Sequence, residues 1–170
     1  NRTAGLPDLS VTRIATDPSN PATAYVTFSG FTSTRIYKTN DYGANWTNVS
    51  GNLPGIPTNC VVVNPGNGNN IFVGTDLGVF STTDGGSSWV QDVNGMANVP
   101  VFDLDYRATD NKLFAATHGR SMFSATVTGG GGTQTANLTY DDGTPYSGYY
   151  WNNSGQGSAN RMTPTLANAT

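Results

Sequence analysis

The chain has 170 residues and a formal net charge of −3, with 21 glycines, one cysteine and one histidine. All eleven acidic residues are aspartate and lysine occurs only at Lys38 and Lys112, so good helix formers are scarce while turn formers and β-branched residues abound, which predicts an all-β protein. The dispersed charge leaves no basic stripe for a nucleic acid, no apolar run is long enough to span a membrane, and a lone cysteine rules out a disulfide within the chain.

In chain order, Asn1 is not an initiator methionine and no signal peptide is visible, so the N-terminus reads as processed or trimmed. Gly5-Leu6-Pro7-Asp8-Leu9 aligns at an offset of 47 with Asn52-Leu53-Pro54-Gly55-Ile56, a connector between repeats. The first repeat covers about 11–52. Within it, Ala24-Tyr25-Val26-Thr27-Phe28 follows Asp17-Pro18 as Ile71-Phe72-Val73-Gly74-Thr75 follows Asn64-Pro65, again at 47. Further on, Ile36 to Trp46 aligns with Val79 to Trp89 at an offset of 43, so the four extra residues fall in the loop 30–34. Insertions of this kind are tolerated in loops.

The second repeat covers about 58–95, with strands expected near 59–63, 70–74, 79–82 and 88–92, divided by Asn/Gly and Asp/Gly turns. The third covers about 101–127, with strands near 101–106, 112–117 and 121–127. A flexible Gly-rich linker follows at 128–136, and 137–170 resembles the opening of a β-sandwich module. A period of about 40–50 residues holding four short strands is the mark of a β-propeller blade. The reading is two full blades and one partial blade of four-stranded antiparallel sheets.

Two turns carry the most specific pattern. Thr82, Asp84, Gly86, Ser88 and Trp89 match Ser/Thr-x-Asp-x-Gly-x-Ser/Thr-Trp at every position; Thr39, Asp41, Gly43 and Trp46 match it too, with Asn45 departing before the tryptophan. The aspartate is suited to accept N–H groups of its own turn, glycine supplies positive φ, and the indole is expected to bury between sheets. The pattern resembles the Asp-box (BNR-type) repeat. Ala115 to Phe123, containing Thr117-His118-Gly119-Arg120, and Val73 to Phe80 resemble the last blades of bacterial xyloglucanase-like and sortilin-like propellers, over about residues 5–127. In such proteins the box is a folding device remote from the ligand site, and the resemblance transfers no catalytic residue onto this segment.

Other chemistry is sparse. Cys60 reads as a small core residue, and His118 as part of a turn. Histidine and cysteine are too few for a metal site built on them. No cofactor is expected, with Thr109-Asp110-Asn111 and Tyr140-Asp141-Asp142-Gly143 as oxygen-rich candidates for Ca²⁺. Asp103 and Asp105 share one strand face, which does not make an acid/base pair straddling a glycosidic bond. Tyr146, Tyr149, Tyr150 and Trp151 form an aromatic cluster, either core or a platform for sugar rings. Sequons begin at Asn1, Asn45, Asn48, Asn137, Asn152 and Asn168.

The expectation is a secreted or cell-surface bacterial protein whose propeller segment is a non-catalytic scaffold for a surface polysaccharide or protein. Two alternatives stand beside it: a subunit of an extracellular polymer, self-associating through open blade faces and the C-terminal segment, and the C-terminal part of a polysaccharide-degrading glycoside hydrolase. Two to three blades are too few to close a ring, which predicts either a larger parent or packing against a second copy.

Overall fold

The computed structural model describes residues 5–92, 96, 98–127 and 139–140. Twelve strands and no helix occur among them: β1 (Val11–Asp17), β2 (Asn20–Phe28), β3 (Ile36–Thr39) and β4 (Thr47–Asn48); β5 (Thr58–Val63), β6 (Ile71–Thr75), β7 (Gly78–Thr82) and β8 (Val90–Gln91); β9 (Val101–Arg107), β10 (Lys112–Thr117), β11 (Met122–Thr126) and β12 (Thr139–Tyr140). They make three four-stranded sheets in the orders β1-β2-β3-β4, β5-β6-β7-β8 and β9-β10-β11-β12, each antiparallel throughout.

The sheets stand side by side on their first strands, β1 against β5 and β5 against β9. Arg13 of β1 reaches Asp103 of β9 at 3.1 Å. A contact between the first and third sheets past the second requires the three to fan out from a common line along β1, β5 and β9. This is the arrangement of propeller blades.

Two cores fill the wedges. Tyr25 and Ile36 of the first sheet meet Val61, Val63, Ile71, Val73, Phe80 and Trp89 of the second. Cys60, Phe72 and Val79 on the other face of the second sheet meet Val101, Leu104, Leu113, Ala115 and Phe123 of the third. Successive residues of β6 and β7 thus serve opposite wedges, as strand geometry dictates, and every residue of both strands is buried. On β10 and β11 burial alternates instead, because the described residues cover only one face of the third sheet.

Two expectations change. The fourth strands are only two residues long; just before β8, the Asn52 carboxamide accepts from Trp89 N–H at 2.6 Å and donates to Trp89 C=O at 2.9 Å. A side chain from the connector thus satisfies the backbone of Trp89, where the expected strand 88–92 does not extend. The third sheet also has a fourth strand, since Thr139–Tyr140 pairs with Phe123 and Ser124 of β11. These residues were expected beyond the linker. The edge of β11 away from β10 is the template on which this segment pairs.

Candidate functional site

Antiparallel order sorts the connections to two ends of the sheets. At one end lie the β3–β4 and β7–β8 turns, next to the β1–β2 and β5–β6 connections: Tyr42 N–H donates to Ala22 C=O, and Gly85 N–H to Asn69 C=O. At the other end lie the β2–β3, β6–β7 and β10–β11 connections with the final residues of each crossover, shown by the His118 N–H bond to Pro100 C=O.

The two aspartate turns are near copies. Thr39 and Thr82 each donate the hydroxyl proton to Asp41 Oδ1 and Asp84 Oδ1, at 2.8 and 2.7 Å. The same hydroxyls accept the N–H groups of Gly43 and Gly86 at 2.9 and 3.1 Å. Asp41 Oδ1 then accepts Asn45 N–H at 2.9 Å, and Asp84 Oδ1 accepts Ser88 N–H at 3.0 Å. The second carboxylate oxygen takes Asn45 Nδ2 in one turn and Ser88 Oγ in the other. Asn45 therefore departs from the pattern in name only, because either side chain brings a donor to that oxygen.

These bonds set the acidity of both groups. The Asn45 backbone N–H, helped by the Asn45 carboxamide and the Thr39 hydroxyl, holds Asp41 down to about 2. The Ser88 hydroxyl, with the Thr82 hydroxyl and Ser88 N–H, holds Asp84 well below the ordinary carboxylate range. A carboxyl with a lowered folded-state pKa contributes stability above its unfolded pKa of about 3.9, and the contribution disappears as pH falls toward the folded value. Thermal melts of the chain are thus expected to be insensitive to these groups at pH 5–7 and to fall from about pH 4 toward about pH 2, a drop that Asp84→Asn reduces. An unchanged acid slope in that variant would remove the carboxylate from the account. Both groups face solvent, so the effect is modest.

The indoles do not fare alike. Trp89 is 3 % exposed and donates Nε1–H to Val49 C=O at 3.0 Å. Trp46 is only half-buried, packed on the first sheet's outer face with Leu6, Leu9 and the Val26, Phe28 and Tyr37 cluster. The expectation of two indoles between sheets holds for Trp89; Trp46 has a described sheet on one side alone.

At the opposite end, Asn59 Nδ2 donates to Asp76 Oδ1 at 3.0 Å and to Val101 C=O at 3.2 Å, tying the tip of the second sheet to the third. Gln91 Nε2 holds Leu77 C=O and Asn98 Oδ1. Phe102, next in the chain to Val101, is 55 % exposed, with the His118 ring edge-on at 5.6 Å, and Leu77 is exposed as well. Asp103 and Asp105 are both exposed, on one strand, and Asp103 is paired with Arg13. Phe102, Asn59, Asp76 and Leu77 were not singled out from the sequence; the only signal was an aromatic on the exposed face of β9.

Cys60 is buried and unpaired with another cysteine, and burial pushes its thiol up to about 12. No group of three or more metal-ligating side chains forms among the described residues. Of the Ca²⁺ candidates, Asp110 already receives Arg107 Nε and Nη2 at 2.8 and 2.7 Å, and Asn111 Oδ1 accepts the Tyr106 hydroxyl; residues 141–143 lie outside the described residues. So do Tyr146, Tyr149, Tyr150 and Trp151, and the sequons at Asn1, Asn137, Asn152 and Asn168. Asn48 is exposed. Asn45 is exposed too, but the nitrogen that a glycan would occupy is donated to Asp41. No helix among the described residues is long and apolar enough to cross a membrane.

No protein-family model and no curated protein match the chain. Solved structures do. An ancestral GH74 enzyme superposes with a TM-score of 0.60 at 23 % identity, over 75 % of this chain and 18 % of that one. The GH74 xyloglucanase from Xanthomonas campestris gives 0.53 at 15 %, over 67 % and 20 %. An auxiliary nutrient binding protein from Bacteroides thetaiotaomicron gives 0.57 at 12 %, over 76 % and 30 %. The chain thus spans only 18–30 % of the length of these proteins. At such identities the likeness is one of fold: three all-β sheets arranged as in enzymes of one group and in a binding protein.

Proposed function

We propose that this chain is a non-catalytic Asp-box propeller segment of a secreted or cell-surface protein, and that it binds polysaccharide across the end of the sheets opposite the aspartate turns. The observation that carries the reading is Phe102. An aromatic ring more than half exposed, braced by His118 and following Val101, whose carbonyl receives the Asp76-bonded Asn59, offers a sugar ring an apolar face near polar groups. The likeness to a nutrient binding protein and to a xyloglucanase supports a polysaccharide as the ligand.

Affinity electrophoresis in gels containing xyloglucan, galactomannan or polygalacturonate tests it. One of these polymers is expected to retard the chain, and Phe102→Ala to weaken binding about tenfold, or ~1.4 kcal/mol. No retardation by any polymer, or equal retardation of the variant, would sink the reading. A second reading, part of a polysaccharide-degrading enzyme, is favoured by the GH74 neighbours. It requires carboxylates from elsewhere in a parent protein, since Asp103 is held by Arg13. Reducing ends released from xyloglucan by this chain alone would promote it.

A further inference from the structure

Arg35 is the largest fully buried side chain among the described residues, at 0 % exposure. It stands just before β3, at the same end of the sheets as Phe102. Its Nη1 donates to Gly30 C=O, while Nε and Nη2 are buried and have no partner. Neither of the ion pairs Arg13–Asp103 and Arg107–Asp110 involves it, and no carboxylate meets its Nε or Nη2. Burial lowers its pKa from the ordinary value, yet arginine keeps its proton in proteins. A charge buried without compensation is strongly unfavourable. A water molecule would satisfy the donors and leave the charge uncompensated.

The vacant edge has a definite chemistry. Nε–H and one Nη2–H point in parallel, a fork matching the two oxygens of a carboxylate. Arg107 uses this same edge, with Nε on Asp110 Oδ1 and Nη2 on Asp110 Oδ2. Beside the vacant edge of Arg35 the connector is glycine: the Cβ that Gly55 lacks would stand 3.7 Å from Nη2. Over the site runs the loop 29–34, which carries the four-residue insertion relative to the second repeat. The loop is fastened at its base by Ser29 N–H to Ser10 C=O, and at its tip Thr32 bonds to Thr34. Phe31 is 78 % exposed at that tip. So few ties make it a segment that opens at low cost.

We infer that the Nε/Nη2 edge of Arg35 is a carboxylate-binding site under the loop 29–34, and that it takes a uronate residue of an acidic polysaccharide, with Phe31 closing over the sugar ring. The inference rests on the polysaccharide reading for the source of the carboxylate, and on Arg35 alone for the carboxylate itself.

The test is ¹H–¹⁵N spectroscopy of arginine Nε–H in the ¹⁵N-labelled chain at constant ionic strength, with trigalacturonate, acetate, chloride and a neutral galactose trisaccharide as probes. The Arg35 resonance, assigned by its loss in Arg35→Lys, is expected to shift saturably with trigalacturonate and not with the neutral trisaccharide. Phe31→Ala is expected to weaken trigalacturonate at least threefold and leave acetate unchanged. Gly55→Val keeps the arginine but fills the space beside Nη2, and is expected to abolish the shift even if Arg35→Lys does not fold. No shift with either carboxylate, or an equal shift with chloride, overturns the site. A shift with acetate alone overturns the uronate assignment. Failure of Phe102→Ala to affect polymer binding, with the Arg35 shift retained, sinks only the reading at Phe102.

Discussion

Trp89→Ala is expected to destabilise the chain by about 4 kcal/mol, the range for removing a large buried aromatic, measured by urea unfolding at neutral pH. Three losses coincide at that site. The indole is 3 % exposed and lies in the core between the first and second sheets, so truncation opens a cavity with fixed walls. Its Nε1–H is the donor to Val49 C=O, which would be left buried with one fewer partner. That Val49 carbonyl also lies against Gly86 of the turn that carries Asp84, 2.8 Å from where a Cβ would stand. Against a typical stability of about 5–15 kcal/mol for a whole domain, this is a large fraction. Trp46→Ala is expected to cost clearly less, because that ring is half-buried and its described packing lies on one sheet only. Equal costs for the two would refute the account of the wedge.

Gly86→Ala is expected to cost about 3 kcal/mol, combining backbone strain with overpacking. Gly86 has φ +101°, and its missing Cβ would stand 2.8 Å from both Cβ and the carbonyl oxygen of Val49. The backbone atom cannot turn aside as a side chain can. That same carbonyl receives the Trp89 indole, so Gly86→Ala and Trp89→Ala act on one contact and should combine less than additively. Gly85 provides the control. It has φ +74°, and its counterpart in the first repeat is Tyr42, a non-glycine residue at φ 58°. Gly85→Asn is therefore expected to cost under about 1 kcal/mol, asparagine being at home in that conformation. A cost for Gly86→Ala as small as this would mean that the first sheet's connector yields freely to the second.

Much of the fold was legible in particular residues. The offset of 43 between Ile36–Trp46 and Val79–Trp89 reports two copies of one hairpin, and the turn bonds at Asp41 and Asp84 match donor for donor. Such bonds span at most four residues, so sequence spacing alone determines them. The apolar run at 71–73 was legible as a strand for the same reason. Its burial on both faces was not, because that depends on sheets made by residues far away in the chain.

The ends of the sheets were legible only in outline. Asn52 bonding the Trp89 backbone, β12 completing the third sheet, and Trp46 lying half-open all depend on which segment comes to rest against which edge. Asn59, Asp76 and Phe102 come from three different strands or turns, so no local pattern unites them. Arg35 looks ordinary before Ile36 in the sequence, and only closure of the loop 29–34 and approach of Gly55 bury it. The sequence by itself determined the repeating hairpins, since their bonds are local. Tertiary structure alone decided which polar groups face the ligand end and which charge is left without a partner, because desolvation depends on everything packed around a group rather than on its neighbours in the chain.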